Sequence, residues 1–337
     1  MTGADVNLHI PLIRLNALFP GQMGVEGAWT DTGLRTHSTG TVFYVSPNHP
    51  GASDLRDGTD PTDPLLTIQT AVTRCESYRG DIIAVMPHGE WRWSPGTPYP
   101  TGIRENVTLN KHGVRLIGLS SASIGIPWYV PTDGGTALTV TGIDCIVEGF
   151  CFVGYTPGAL NTGRAIFGNY AYCDNLTVRH CHFDHTLEIG IQLDDVWYAR
   201  IHDNFFEGVQ DYGIYADPAG ASPQWNEIDH NSFNQVGVGA GIAGTGAIFI
   251  PGADDCRIHH NSVYNSGAQG AALATLEGIV TNDGAGVVGL RNLVWENVFS
   301  CQNTAAVNGD YGDLNNGSPT DAWSHSLCMN GLAYGVP

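Results

Sequence analysis

The sequence predicts an all-β chain: a right-handed parallel β-helix, a solenoid closed by a short N-terminal cap helix and preceded by an extended N-terminal arm. Three observations predict it. An apolar–x–x–turn–x–apolar hexad recurs along the chain, and most copies are followed by a second short apolar strand that opens with glycine. Glycine is abundant throughout, with 44 residues against a single lysine, Lys111, and it lacks the three-residue period of collagen. A helix-rich chain would carry far more Lys, Glu and Ala on its exposed faces.

Residues 1–40 read as the arm. Leu8, Ile10, Leu12, Leu15 and Leu18 are spaced apolar residues, whereas Pro11, Pro20, Gly21, Gly24, Gly27 and Gly33 break any regular element. Such a strip buries too little to fold alone and is expected to lie on the body or on a neighbouring molecule. Residues 41–110 hold an opening strand at Thr41–Val45, a polar loop from Ser46 to Pro64 and a short helix beginning at Thr67. Ile68, Ala71, Val72 and Cys75 share one face of that helix, and a buried strand follows at Asp81–Met86. This unit is expected to cover the open end of a stacked core.

Residues 111–304 carry the repeat. Its copies are Val147-Glu-Gly-Phe150-Cys-Phe152, Val178-Arg-His-Cys181-His-Phe183, Ile201-His-Asp-Asn204-Phe-Phe206, Ile228-Asp-His-Asn231-Ser-Phe233, Ile258-His-His-Asn261-Ser-Val263 and Val294-Trp-Glu-Asn297-Val-Phe299, with Leu116-Ile-Gly-Leu119 as a degenerate earlier one. Starts are separated by 31, 31, 23, 27, 30 and 36 residues. No unit with strands this short can bury its apolar face alone. Stacking units about 4.8 Å apart pairs each strand with its copies above and below. Val178, Ile201, Ile228, Ile258 and Val294 then form one internal column, and Phe183, Phe206, Phe233, Val263 and Phe299 another. Asn204, Asn231, Asn261 and Asn297 fall at the bend, where their amides are expected to form a ladder. Asparagine also tolerates the left-handed backbone that a sharp bend requires. Uneven periods fit insertions that fold out as loops, whereas a propeller needs a steadier period. Residues 305–337 read as a loop-rich C-terminal segment.

The repeat resembles the right-handed parallel β-helix proteins of the pectin-lyase-like class over roughly residues 41–300. Phe43-Tyr-Val-Ser-Pro47, Asp57-Gly-Thr59, Pro64-Leu-Leu-Thr-Ile-Gln69 and Gly80-Asp-Ile-Ile-Ala-Val-Met-Pro87 resemble the opening module of that class. The resemblance implies the fold. It does not single out an activity, because the fold carries lyases, hydrolases, epimerases and inert phage proteins alike. The module together with the arm looks most like a β-helix protein on a tailed-phage particle.

Several groups are candidates for chemistry. With Gly190 and Gly213 in register, Asp194 and Asp217 lie about 5 Å apart on one face, with Asp195 beside them. That spacing suits a retaining glycosidase, and it equally suits a bound calcium ion. The plainer reading is that aspartates end strands and open turns. His180, His182 and His185 have metal-like spacing, but His180 shares a column with Asp203, His230, His260 and Glu296, which predicts surface hydrogen bonds instead. Arg200, Glu227 and Arg257 form a further column, expected to be a salt-bridge stack rather than the site of a lyase's arginine base. Trp91, Trp93, Tyr99, Trp128, Tyr129, Trp197, Tyr198, Trp225 and Trp295 are expected mainly in loops or at coil edges, suited to sugars or to protein contacts. The paired-aspartate and Gly-His-Gly patterns of this fold's hydrolases are missing, as are G-x-S-x-G, Walker and Rossmann motifs.

Composition limits the partners. Thirty-three acidic against 14 basic residues give a formal charge of −19, which argues against nucleic-acid binding. No stretch has the roughly 18 apolar residues of a membrane helix, and residues 1–19 lack the pattern of a secretion signal. The eight cysteines include no C-x-x-C pair, so packed, reduced thiols are expected. The functional expectation is a non-catalytic structural protein on the surface of a tailed-phage virion, a capsid-decoration or cement protein or a short spike. It is expected to form a homotrimer assembled in the cytoplasm of a bacterial host. Residues 1–40 would grip a capsid or tail protein, with no cofactor unless calcium binds at Asp194 and Asp217. The alternative is a polysaccharide lyase or glycoside hydrolase, tailspike-type or secreted, acting on acidic or surface glycans through Asp194, Asp195 and Asp217.

Overall fold

The computed structural model describes residues 40–87, 102–120, 125–155, 163–169, 173–184, 187–217, 222–237, 246–265, 277–281, 290–301, 322–324 and 327–328. The arm expected at residues 1–40 lies outside them except for Gly40, and so does most of 305–337. The described strands fall into three parallel sheets. Sheet A stacks Val42–Val45, Ile82–Val85, Arg115–Gly118, Ile146–Glu148, Thr177–Arg179, Arg200–His202, Glu227–Asp229, Arg257–His259, Leu293–Trp295 and Ala322–Ser324. Sheet B stacks Ile126–Tyr129, Phe150–Val153, His182–Phe183, Phe205–Glu207, Ser232–Asn234, Ser262–Asn265, Val298–Cys301 and Leu327–Cys328. Sheet C stacks Val107–Leu109, Thr136–Val140, Arg164–Gly168, Ile189–Leu193, Tyr212–Tyr215, Gly246–Phe249 and Glu277–Val280. From Arg115–Gly118 to Glu277–Val280 the chain passes from A to B to C and back to A in each coil. That is a parallel β-helix.

Register puts like with like. Leu116, Val147, Val178, Ile201, Ile228, Ile258 and Val294 form an inward column on sheet A, all fully buried. On sheet B, Trp128, Phe152, Phe183, Phe206 and Phe233 stack with centroid separations of 5.4, 5.4, 4.5 and 4.6 Å. Each buried ring contributes about 1.5–3 kcal/mol of transfer energy, and each stacked pair about 0.5–1.5 kcal/mol more. The sequence places Trp128 and Tyr129 at a coil edge, but both are fully buried. Trp128 lies inside because its alternation matches Phe152, and its indole N–H donates to the Glu105 carbonyl at 3.0 Å.

The stacked rings explain the glycines that open sheet C strands. Ala137, Ala165, Gly190, Gly213 and Ala247 occupy one register column beside the rings. A Cβ at Gly213 would lie 2.7 Å from Phe233 Cε1 and 2.6 Å from the Ala247 carbonyl oxygen; at Gly190, Phe206 Cε1 is 2.8 Å away. Bulk is moved from one wall to the other.

The bend between sheets A and B holds the asparagines. Asn204, Asn231, Asn261 and Asn297 are at most 2% exposed. Asn204 Nδ2 donates to Asn231 Oδ1, Asn231 Nδ2 to Asn261 Oδ1 and Asn261 Nδ2 to Asn297 Oδ1, each at 3.0 Å. The same amides donate to the carbonyls of Val178, Ile201 and Ile228 at 2.9 Å. Each Oδ1 also accepts the backbone N–H of the preceding coil's asparagine. The left-handed backbone is not at the asparagine, as the sequence reading had it, but one residue earlier. His180, Asp203, His230, His260 and Glu296 have φ of 50–55°, and Gly149 takes the same place at 82°. The asparagine must point inward to reach the next coil, so its neighbour takes the turn, at about 1–2 kcal/mol for a non-glycine residue.

A second set of internal amides sits where sheet C returns to sheet A. Asn226 Oδ1 accepts from Ala199 N at 2.7 Å while its Nδ2 donates to the Val196 carbonyl at 2.8 Å. Asn292 repeats this with Cys256 N at 2.9 Å and the Ala253 carbonyl at 2.7 Å.

The cap helix α1 spans Ile68–Arg74, with Thr67 as its N-cap and Ile68, Ala71 and Val72 buried. Glu105 accepts the N–H groups of Ile68 and Gln69 at 2.8 and 3.3 Å. The Gln69 side chain then imitates a strand, accepting from Thr108 N at 2.8 Å and donating to its carbonyl at 3.4 Å. This closes the first edge of sheet C. Beside the cap, the fully buried Asp81 accepts from Arg79, Thr41 N and Glu76 N at 2.6–2.8 Å. Although its burial works the other way, the Arg79 and backbone hydrogen bonds hold its carboxyl below the usual range. Cys75, Cys145, Cys151, Cys173, Cys181 and Cys256 are buried free thiols. No described helix is long and apolar enough to cross a membrane.

Two substitutions test this packing. Asn231→Ala strands the Ile201 carbonyl and the Asn204 amide groups, each worth about 1–3 kcal/mol, so its melting point should fall well below that of Asp217→Ala; equal shifts would break the register. Gly213→Val should destabilise by about 1–3 kcal/mol through overpacking against Phe233, and an unchanged denaturation midpoint would contradict the contact.

Candidate functional site

Outward residues of three sheets carry three different chemistries. Sheet A is ionic. Glu148 Oε1 is 3.2 Å from Arg115 Nη2, and its Oε2 is 2.5 Å from Arg179 Nε, which links three coils. Of the expected stack of Arg200, Glu227 and Arg257, the first pair is straight, with Arg200 3.6 Å from its register partner Glu227, while diagonal contacts accompany it: Arg200 also reaches Asp229 at 3.6 Å, and Glu227 Oε1 is met by His259 Nε2 at 3.2 Å. Residues two apart on one strand both lie within reach of the next strand, so long side chains cross columns. Along the bend, His202 pairs with Asp203, His230 with Asp229 and His260 with Glu296, all at 2.7 Å. These are hydrogen-bonded surface pairs. Trp295 lies over His259 at 4.2 Å, and Tyr198 stacks on Trp225 at 5.1 Å.

Sheet C carries a mixed aromatic and polar surface. Its two outward columns run Arg164, Ile189, Tyr212 and Phe167, Gln192, Tyr215, Phe249. Tyr212 and Tyr215 rings are 4.5 Å apart, and Phe249 lies 5.1 and 5.9 Å from them. The Arg164 guanidinium sits 4.9 Å above the Phe167 ring and donates to Gln192 Oε1. Gln192 Nε2 in turn donates to both Asp194 oxygens at 3.0 and 3.2 Å. Asp217 follows Tyr215 as Asp194 follows Gln192, one coil apart. Burial first, then the charges of Asp217 and Asp194, push the Tyr215 hydroxyl up to about 12. Asp195 faces differently: its backbone is left-handed at φ 53° and Oδ1 accepts from Trp197 Nε1 at 3.1 Å. Burial raises its carboxyl above the usual range, against the pull of that hydrogen bond.

The opposite end of sheet C holds acids that the sequence reading passed over. Glu188 and Asp211 precede their strands in adjacent coils, and the Asp211 amide N–H donates to the Glu188 carbonyl at 3.0 Å. Burial raises both carboxyls, and the charge of Asp211 raises Glu188 further. The signal was present as Glu188-Ile-Gly190 and Asp211-Tyr-Gly213.

Sheet B brings together His182, Asp184 and Glu207, whose ligand atoms all lie within 4.8 Å of one another. His180 is not with them, because it occupies the left-handed bend position, and His185 lies outside the described residues, as do Trp91, Trp93 and Tyr99.

The model of the right-handed β-helix region matches residues 159–250. Similar solved structures include an alginate lyase from Paenibacillus sp. str. FPU-7, at 15% identity over 78% of this chain and 92% of that one, with a TM-score of 0.47. A pectate lyase is similar at 13% identity, covering 87% of this chain and 79% of that one, with a TM-score of 0.40. The Dettilon tailspike protein is similar at 10%, covering 84% and 68%, with a TM-score of 0.27. No curated protein sequence matches the chain. The three parallel sheets and the matched region define the fold as a right-handed parallel β-helix.

The raised carboxyls set a pH dependence. A folded pKa above the unfolded one means that Glu188 and Asp211 favour the fold below about pH 4 and lose that contribution as pH rises through their folded values. Glu188→Gln with Asp211→Asn should therefore gain melting temperature over the parent at pH 7, and the gain should shrink towards pH 4. A gain that grew in acid would show these carboxylates to be held charged instead.

Proposed function

We propose that this protein is a non-catalytic β-helix of a tailed-phage virion surface, and that the outer face of sheet C holds a glycan without cleaving it. The observation that carries the reading is that face itself. Tyr212, Tyr215 and Phe249 give rings for the apolar faces of sugars, and the Arg164 guanidinium gives donors for hydroxyl or carboxylate groups. The carboxylates first considered for catalysis already have structural partners: Asp194 accepts from Gln192, and Asp195 from Trp197. The phage setting rests on the opening module, whose strand, loop, cap helix and second strand span residues 42–85. A homotrimer, anchored to a capsid or tail protein through residues 1–40, completes the proposal. It needs no cofactor; Asp194 and Asp217 are where calcium would be sought.

A hydrolase reading has one observation in its favour, the adjacent raised carboxyls of Glu188 and Asp211. One experiment separates the two. A panel of neutral and acidic bacterial polysaccharides should include a ligand whose affinity falls about tenfold in Tyr215→Ala, with no reducing ends or unsaturated sugars released. Cleavage abolished by Glu188→Gln would replace the structural reading with the hydrolase one. Unchanged binding in Tyr215→Ala would remove the sheet C face from the proposal.

A further inference from the structure

His182, Asp184 and Glu207 are assembled by strand pairing alone. His182 and Asp184 are two apart at one strand's end, and Phe183 pairs with Phe206, which sets Asp184 opposite Glu207 in the next coil. Because Phe183 and Phe206 point into the core, the other three share the outer face of sheet B. The rest of the site is largely apolar. Cys151 pairs with His182 from the preceding coil and is fully buried, and Val153 beside it is 2% exposed. The Phe205 ring stands 5.0 Å from the imidazole. His182 and Asp184 are themselves only 8% and 7% exposed. Two carboxylates and an imidazole thus face one another, with His182 and Asp184 nearly buried and the Glu207 side chain a third exposed, where a dication would neutralise the acid pair and solvent could reach it.

We propose that this recess is a zinc site bridging two consecutive coils, with His182 Nε2 and one carboxylate oxygen each from Asp184 and Glu207 as ligands and water completing the shell. Zinc bonds of about 2.0–2.2 Å in a tetrahedron set ligand atoms roughly 3.4 Å apart. His182 Nε2 and Glu207 Oε2 already lie 3.5 Å apart, and the 4.8 Å bound on the remaining separations is closed by small side-chain rotations. The imidazole nitrogen selects a borderline transition metal over calcium or magnesium, which seek oxygen-rich shells. The site is separate from the surface histidines of the A–B bend, which pair with acids instead.

The test uses the full chain. After incubation with zinc sulfate and exhaustive dialysis, the parent should retain about one zinc per chain and melt several degrees above its chelator-treated form. Glu207→Gln and His182→Ala should each lose the retained metal and the shift, while His260→Ala keeps both. If His182→Ala fails to fold, Glu207→Gln decides, since it preserves shape and removes only charge. Cobalt(II) in place of zinc should give the intense visible bands of a four-coordinate ion in the parent and not in Glu207→Gln. No retained zinc in the parent would mean that a proton on His182 balances the acids, and retention lost only in His260→Ala would move the metal to the bend; either result overturns the proposal.

Discussion

The turn from sheet A to sheet B shuts peptide groups away from water, and in four successive coils a buried asparagine (Asn204, Asn231, Asn261 or Asn297) satisfies them. Its amide bonds both the coil before and the coil after, so neighbouring bends are locked at a common spacing. A buried donor or acceptor left without a partner costs about 1–3 kcal/mol, roughly twice the net worth of a hydrogen bond. The left-handed residue ahead of each asparagine shows how strongly the geometry is imposed. Histidine, aspartate and glutamate adopt a backbone suited to glycine ahead of the asparagines, and His180 and Gly149 do so ahead of Cys181 and Phe150, so the bend itself imposes the turn.

From that bend the core follows. Once strands are held in register, an apolar residue in one coil meets the same kind of residue in the next, and the phenylalanines become a continuous stack. The stack then dictates composition on a different sheet. Small residues at Gly190 and Gly213 are required because the rings of Phe206 and Phe233 fill the space that a side chain would take. Constraint passes from the A–B bend to sheet B and from sheet B to sheet C.

Much of this was legible in the sequence because it repeats. Asn204, Asn231, Asn261 and Asn297 recur at one place in the hexad, so a single stacking rule locates them all. Asn226 and Asn292 were not legible, since they act in alternate coils, and Ala199 and Cys256 hold the intervening places. The left-handed position was misassigned by one residue because conformational tolerance and inward hydrogen bonding both favour asparagine, and only the second applies here. Trp128 was misplaced for a related reason: its hexad is degenerate, and a tryptophan where other coils have phenylalanine looks like a loop residue. The clusters were hardest to see. His182, Asp184 and Glu207 are united only by the pairing of Phe183 with Phe206, which no local motif records.

The outward faces show what this division of labour allows. Internal columns and ladders leave little freedom inside, because a change in one coil is felt by the coils above and below. Outward residues have no such obligation, and the three sheets diverge accordingly: ion pairs on sheet A, a compact histidine–carboxylate recess on sheet B, and aromatic rings with a guanidinium on sheet C. Recognition by such a scaffold is additive along the axis, since each coil advances about 4.8 Å and contributes one or two side chains per face. A linear ligand laid along sheet C would meet Arg164, then Gln192, then Tyr215, then Phe249, one coil at a time. The order of coils in the chain thus becomes the order of contacts along the ligand, which a compact pocket cannot provide.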